Sequence, residues 1–129
     1  MKGILVLPIA LGLSMIVSAQ VRDCTTVHEG RFRLSTKETG TTIITRTKTQ
    51  QIEENEDLGI KMTFDLTWIN DCTYELRPKE VVKGPPSLLG KPGDLMTVKV
   101  TEVKSNAYIS ETTSNFFSMT LVTEIEILE

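Results

Sequence analysis

The chain has 129 residues, with 14 Lys and Arg against 17 Asp and Glu, and a formal net charge of −3. This length suits one domain with a modest core rather than two domains. A mildly acidic chain with scattered basic residues has no basic face to neutralise phosphates, so we expect no nucleic-acid partner. The sequence also lacks a phosphate-binding glycine loop and a metal-ligand cluster, and we expect no cofactor.

The first residues follow the pattern of a secretory signal. Lys2 precedes an apolar run over residues 4–17, and the small residues Ser18 and Ala19 follow it. We predict a signal peptide over residues 1–19, with cleavage after Ala19 and a domain over residues 20–129. No second apolar segment is long enough to span a bilayer, so the predicted mature protein is secreted or periplasmic and has no membrane span.

Two cysteines, Cys24 and Cys72, lie in the predicted mature part. Export places them in an oxidising compartment, where a disulfide is expected. Closing a loop of that length would stabilise the fold by about 4 kcal/mol. A zinc site is disfavoured, because the two thiols are far apart in sequence and the single histidine, His28, cannot complete a ligand set.

In chain order, the first strand follows Gly30, where apolar and basic residues alternate over 31–34. A turn at residues 37–40 leads to a second strand over residues 41–52, which is rich in Thr and other β-branched residues. One face of this segment carries Ile44, Arg46 and Gln50. Its mixed faces indicate an edge strand or a strand that faces a polar interior.

An acidic run, residues 53–57, follows the second strand. Clustered carboxylates suggest calcium, but the run lacks the alternating oxygen ligands and central glycine of a helix-loop-helix calcium site. We therefore interpret it as the solvated tip of a hairpin.

The segment 59–76 reads as two alternating strands joined by a turn. A two-residue turn at Asn70-Asp71 would join the apolar face of one strand to the polar face of the other. A three-residue loop over 69–71 avoids this mismatch and sets Trp68 opposite Cys72, with Asn70 or Asp71 in the left-handed conformation. The predicted structural core of this hairpin is Phe64, Leu66, Trp68, Tyr74 and Leu76.

A proline-rich loop over residues 78–94 separates this hairpin from three further strands, predicted over 95–103, 107–113 and 116–127. The total is seven strands at short, regular spacing. We predict an all-β, single-domain antiparallel meander that forms either a small lipocalin-like barrel or a sandwich.

This meander creates a conflict for the disulfide. Cys24 precedes the first strand and Cys72 begins the fourth, so the two cysteines fall at opposite ends of the sheet. Seven residues of strand span about 23 Å, whereas bridged cysteines need Cα atoms within about 7 Å. Either no disulfide forms or residues 25–29 double back along the sheet. We favour the second, with Gly30 as the hinge.

Several residues, taken together, resemble a group of small exported proteins from Bacteroidetes-type bacteria that carry a cysteine pair. The resemblance implies an envelope location and a paired-cysteine β-domain, and it adds no catalytic residue. The residues that carry it are Cys24, Gly30-Arg31-Phe32, Arg46, Gln50, the block Trp68-Ile69-Asn70-Asp71-Cys72-Thr73-Tyr74-Glu75-Leu76, Leu89-Gly90-Lys91 and Asn106-Ala107-Tyr108.

The sequence offers little for catalysis. His28 has no evident nucleophile beside it, and a surface or packing role is favoured. Asp65 and Glu75 would form a carboxylate pair for glycoside hydrolysis, but the alternation places both on outward faces. We therefore predict that the protein is not an enzyme.

Binding is the remaining class of function. The leading hypothesis is a domain that recognises an envelope or extracellular protein through apolar anchors, with residues 116–117 beside 88–89 as a candidate patch. The alternative is a lipocalin-like carrier, in which Ile44, Arg46 and Gln50 line an interior cavity and orient a small apolar ligand. A small hydrolase is a third and weaker alternative. An internal cavity would discriminate between the first two.

Overall fold

The computed structural model describes residues 23–129, so the predicted signal peptide lies outside the described part of the chain. Eight antiparallel strands follow one another around a closed barrel, in which β1 also pairs with β8. The predicted all-β meander is confirmed, and it is a barrel rather than a sandwich. The strands are β1 (Gly30–Thr36), β2 (Gly40–Arg46), β3 (Gln50–Asn55), β4 (Ile60–Asn70), β5 (Thr73–Lys83), β6 (Met96–Val103), β7 (Ala107–Ser114) and β8 (Leu121–Ile127).

Within the described residues, two short 3-10 helices accompany the strands. One, Cys24–Val27, precedes β1, and the other, Pro86–Leu89, lies in the long connection between β5 and β6. Within residues 23–129, no helix has the length and apolar character needed to cross a membrane.

The predicted strand over residues 41–52 is in fact two strands, β2 and β3, joined by a turn at residues 47–49. The backbone N–H of Thr47 donates to the carbonyl of Gln50 at 2.9 Å, and the N–H of Gln50 donates to Thr47 Oγ1 at 3.2 Å. A threonine hydroxyl thus closes the turn, which contains no Gly, Pro, Asn or Asp. Because both strands pair on both sides, the predicted edge strand is wrong. The alternative of a polar interior is closer to the structure.

The β4–β5 hairpin differs from the predicted three-residue loop. Its turn is Asp71-Cys72, between paired residues Asn70 and Thr73, and a bulge between Trp68 and Asn70 restores the alternation of faces. Trp68 therefore pairs with Tyr74 rather than Cys72. No residue other than glycine in the described chain has a positive φ. The Asn70 side chain instead accepts the N–H of Cys72 at 3.0 Å, which stabilises the turn directly.

The acidic run is divided between a strand and a turn. Residues 53–55 belong to β3, where Asn55 is buried, and only residues 56–59 form the exposed hairpin turn. The predicted hairpin tip is therefore shorter than the acidic run itself.

The cysteines do form a disulfide, with Cα atoms 5.2 Å apart. Because the chain has one more strand before Cys72 than predicted, the start of β1 and the β4–β5 turn lie at the same end of the barrel. The conflict between meander and disulfide therefore does not arise. Residues 24–27 form a short helix at this end instead of running back along the sheet. Gly30 has a φ of 130°, which favours glycine, and a side chain there would meet the backbone of Glu129.

We call this end the closed end. It comprises the first 3-10 helix, the disulfide and the short β2–β3, β4–β5 and β6–β7 turns. Val27 of the helix is fully buried and Cys24 is 7% exposed. The helix therefore closes the barrel and joins the core, where apolar side chains from all strands except β3 pack together. The opposite end, which we call the open end, carries the β1–β2, β3–β4, β5–β6 and β7–β8 connections.

Candidate ligand site in the barrel

A cavity of about 170 Å³ lies inside the barrel toward the open end. Eight of its thirteen lining side chains are apolar. They converge because alternate residues of a strand face the barrel interior. The lining residues are Leu34, Ile44, Gln51, Glu53, Tyr74, Leu76, Met96, Val98, Ser110, Thr112, Leu121, Thr123 and Ile125.

A larger depression of about 490 Å³ lies on the outer wall. Its lining includes Arg31, Glu54, Glu56 and Asp57, which belong to outward faces or to the β3–β4 turn. Ligand sites in proteins are mostly apolar with a few placed polar groups, and they bury most of the ligand. The interior cavity has the apolar lining with few polar groups that such sites show, so we take it as the candidate site.

Arg46 forms a polar layer below the floor of this cavity. Its side chain is only 2% exposed. Nε donates to Gln51 Oε1 at 2.9 Å, and Nη1 donates to the carbonyl of Val27 at 2.7 Å. Nη2 donates to the hydroxyls of Tyr74 at 3.1 Å and Tyr108 at 2.8 Å. A buried cation needs hydrogen-bond acceptors, and these four bonds to neutral groups use four of the five N–H groups of the guanidinium.

Aromatic rings surround the same guanidinium group. Its central carbon lies 4.4 Å from the ring centre of Phe32, 4.7 Å from that of Tyr74 and 5.7 Å from that of Tyr108. Cation–π attraction is strongest when the cation is desolvated, so the rings offset part of the cost of burial. Arg46 thereby ties the N-terminal helix to strands β2, β3, β5 and β7.

Gln51 and Glu53 connect this polar layer to the cavity. Gln51 is 2% exposed, and its Nε2 donates to Glu53 Oε2 at 2.7 Å. Glu53 is half-buried and lies near Arg46. Desolvation raises the pKa of Glu53 above its ordinary value, while the Gln51 hydrogen bond and the charge of Arg46 oppose this rise. Desolvation also raises the pKa of Tyr74 well above its ordinary value, so its hydroxyl stays protonated at neutral pH.

The open end is surrounded by exposed apolar side chains, which we call the apolar rim. Nine large hydrophobic residues of the described chain are exposed, and all except Ile69 lie at this end. Exposed apolar side chains of this kind are the usual anchors of a contact site where they form one patch. The rim residues are Leu58, Val82, Leu88, Leu89, Phe116, Met119, Leu121 and Val122.

The predicted ligand residues are only partly brought together. Ile44 lines the cavity and Arg46 lies beneath it, but Gln50 is half-buried at the start of β3, and it is Gln51 that hydrogen-bonds to Arg46. The turn at residues 47–49 reverses the alternation, so Gln51 and Glu53 face inward. The length of the predicted 12-residue strand, about twice the usual length, was the available signal for this turn.

The predicted hairpin core lies largely inside the barrel. Phe64, Leu66, Tyr74 and Leu76 are buried, and Trp68 packs against the core while half-buried.

The residues considered for hydrolysis lie away from the cavity. His28 stacks on Trp68, with ring centres 3.6 Å apart, and its Nε2 lies 2.8 Å from the carbonyl of Asp71. Asp65 lies 3.7 Å from Lys79 on the outer face, and Glu75 pairs with Arg77. Within residues 23–129, no group of three His, Cys, Asp or Glu side chains is arranged to hold a metal ion.

Comparison with known proteins adds no assignment. No family model matches the chain, and no curated protein or solved structure is similar to it.

Proposed function

We propose that this protein is a non-enzymatic domain that binds a small, largely apolar molecule in the open end of its barrel. The observation that carries the proposal is the cavity of about 170 Å³, which lies between the strands, is partly open to solvent and is lined mainly by apolar side chains. The disulfide supports a secreted or periplasmic location, since such bonds persist in oxidising compartments.

The size of the cavity indicates the size of the ligand. A dry apolar cavity of about 150 Å³ can hold one benzene molecule, and drug-sized ligands need roughly 300 Å³ or more. The cavity therefore suits one ring or a short alkyl chain. A longer ligand would extend from the cavity to the apolar rim.

A cavity-filling pair of variants tests the proposal. Thr112 lines the cavity, whereas Thr113, the next residue of β7, is exposed on the outer face. Thr112→Phe places a ring in the cavity, and Thr113→Phe adds the same ring outside. We expect toluene to bind the wild-type protein and Thr113→Phe alike, and Thr112→Phe at least about tenfold more weakly.

Isothermal titration calorimetry gives the affinities, and amide chemical shifts in NMR spectra locate the site. Shifts confined to cavity-lining residues support the proposal. Absence of toluene binding at millimolar concentration, or equal binding by both variants, would reject it. Near-UV circular dichroism verifies that both variants retain the wild-type packing.

A second candidate function is recognition of an envelope or extracellular protein through the apolar rim. Met119, at 60% exposed, and Phe116, at 50% exposed, resemble the anchors that protein interfaces use. The cavity argues against protein recognition as the only function, because a domain that binds only proteins does not need an internal cavity.

Site-specific photo-cross-linking in the producing cells tests this second function. A photoreactive residue replaces Met119 on the rim, and a control replaces exposed Glu111 on the outer face of β7. Support requires a protein captured at Met119 alone, whose purified form binds the domain and loses at least about tenfold in affinity with Met119→Asp. Capture at both positions, or unchanged affinity, would count against it.

A further inference from the structure

The polar side chains that line the cavity differ in how many of their hydrogen-bonding atoms have a partner. The hydroxyls of Ser110 and Thr123 lie 3.2 Å apart and share one hydrogen bond. The Thr112 hydroxyl also lines the cavity and makes no side-chain hydrogen bond to a residue between 23 and 129. Gln51 uses its oxygen for Arg46 and its amide nitrogen for Glu53. Glu53 Oε2 accepts that bond, whereas Glu53 Oε1 receives no hydrogen bond from any residue between 23 and 129. One carboxylate oxygen in a largely apolar cavity is thus free to accept a hydrogen bond.

The charges around the cavity restrict the ligand further. Among the residues that line the cavity, Glu53 alone is charged, and Arg46 below the floor carries the opposite charge. Together they make the interior neutral. A ligand carboxylate would face the Glu53 carboxylate, and a ligand ammonium would leave an excess positive charge beside Arg46. Unpaired charges are costly in an apolar cavity, so a neutral ligand is favoured.

We propose that the cavity selects a neutral ligand of about one ring in size that carries a hydroxyl group, as an alcohol or phenol does, and that the hydroxyl donates to Glu53 Oε1. This inference rests on the proposed binding function and adds the chemical class of the ligand. The ring occupies the apolar part of the cavity, which strands β1, β2, β5, β6 and β8 line. Glu53, which lies in β3, accepts the hydrogen bond from the ligand hydroxyl.

Phenol and toluene form the central comparison, because they have nearly the same shape and only phenol has a donor. We expect phenol to bind the wild-type protein about tenfold more tightly than toluene, since hydrogen bonds to charged groups exceed neutral ones in strength. Benzoate and benzylammonium test the charge argument, and both should bind more weakly than phenol. Calorimetry measures all four affinities with the intact, disulfide-bonded protein.

Variants of Glu53 test whether this residue causes the preference for phenol over toluene. Glu53→Leu removes the acceptor, so the phenol preference should disappear while toluene binding persists or improves. Glu53→Gln keeps an acceptor oxygen without the charge and should retain an intermediate preference. Glu54→Gln is the matched control, since Glu54 is the neighbouring residue of β3, faces outward and lies 3.9 Å from Lys83. Glu54→Gln should leave the ratio of the phenol affinity to the toluene affinity unchanged.

The outcomes separate this inference from the proposed function. Equal binding of phenol and toluene by the wild-type protein would overturn the inference and leave a purely apolar cavity. Tighter binding of benzoate or benzylammonium than of phenol would overturn the neutral class. A phenol preference that survives Glu53→Leu would overturn the role of Glu53. Failure of phenol and toluene alike to bind would overturn the proposed function itself.

Discussion

The two ends of the barrel are built differently. The closed end has short turns, a disulfide and a helix that buries Cys24 and Val27, and it adjoins a cation whose hydrogen bonds reach four residues. The open end has the longer β5–β6 and β7–β8 connections, eight exposed apolar side chains and a cavity with an unpaired carboxylate oxygen. The difference indicates that one end stabilises the fold and the other is available for recognition.

Arg46 provides a physical basis for this separation between a stabilising end and an end available for recognition. Its guanidinium group lies between the two ends, and its bonds satisfy the carbonyl of Val27 below and the oxygen of Gln51 above. The cation thereby completes the closed end and also orients the amide that holds Glu53 at the cavity. Changes on either side of this layer should therefore separate stability from binding.

Removal of the disulfide should give the largest loss of stability. The bond closes a loop of 48 residues, for which chain entropy predicts a contribution of about 4 kcal/mol. We expect Cys24→Ala/Cys72→Ala to lower the unfolding free energy in urea by about that amount, measured at a temperature where the variant is still folded. Toluene should still bind to the folded variant, because the cavity lies at the other end. A loss of less than about 1 kcal/mol would contradict the assigned role of the closed end.

Replacement of Arg46 should cause the second-largest loss of stability. Arg46→Met leaves the Gln51 oxygen, the Val27 carbonyl and the Glu53 carboxylate without their cation. We expect a loss of about 3 kcal/mol, because several buried acceptors lose a charged hydrogen-bond partner and each such loss costs about 1–3 kcal/mol. The matched control is Arg33→Met, which removes an exposed ion pair with Glu126 and should cost less than about 1 kcal/mol.

Urea denaturation of both arginine variants gives the comparison. Adding Glu53→Gln to Arg46→Met should recover part of the loss, because the uncompensated carboxylate is removed. Equal costs for the two arginine variants would show that the polar layer contributes no more than a surface pair.

The sequence predicts most of this fold because most of its strands alternate clearly. The apolar faces of residues 60–68 and 96–103, together with the turn residues between strands, indicate an antiparallel meander. The disulfide is predicted from the expected export signal and the two cysteines. These predictions depend on local patterns, and the structure confirms both the architecture and the bond.

The errors about the barrel interior and the position of Cys72 share one cause, the turn at residues 47–49. The wrong length of the β4–β5 loop is a separate error. Without the turn at residues 47–49, Gln50 is assigned to the interior in place of Gln51, and Cys72 is assigned to the wrong end of the barrel. The turn escapes notice because a Thr47 hydroxyl forms it in a stretch with high β-propensity. Glu53 was missed as a site residue for the same reason, since an acidic run is ordinarily exposed. The Glu53 side chain faces inward because the turn at residues 47–49 sets which residues of β3 face the barrel interior.

The pH dependence of stability should show the effect of Glu53. Its pKa is raised in the folded protein, chiefly by desolvation, with Arg46 and Gln51 opposing. Between the ordinary carboxyl pKa and the raised value, the folded state binds more protons than the unfolded state. Stability from this group is therefore complete below the ordinary pKa and is lost as pH rises through the folded pKa.

Urea unfolding as a function of pH, compared between the wild-type protein and Glu53→Gln, isolates this contribution. The wild-type protein should gain stability relative to Glu53→Gln as pH falls from neutrality through that window. Contributions from other carboxyls, such as Asp23, are common to both proteins and cancel. A relative gain in the opposite direction would mean that the attraction of Arg46 outweighs desolvation.

The apolar rim should give the smallest effect on stability. Met119→Ser and Phe116→Ser change side chains that are 60% and 50% exposed, so each should alter the unfolding free energy by less than about 0.5 kcal/mol. Leu66→Ala, in the core, should cost about 3 kcal/mol under the same conditions. The rim variants should also bind less of a hydrophobic fluorescent dye. If Met119→Ser instead cost more than about 1 kcal/mol, the rim would be packing against the barrel, and the open end would share the structural role that we assign to the closed end.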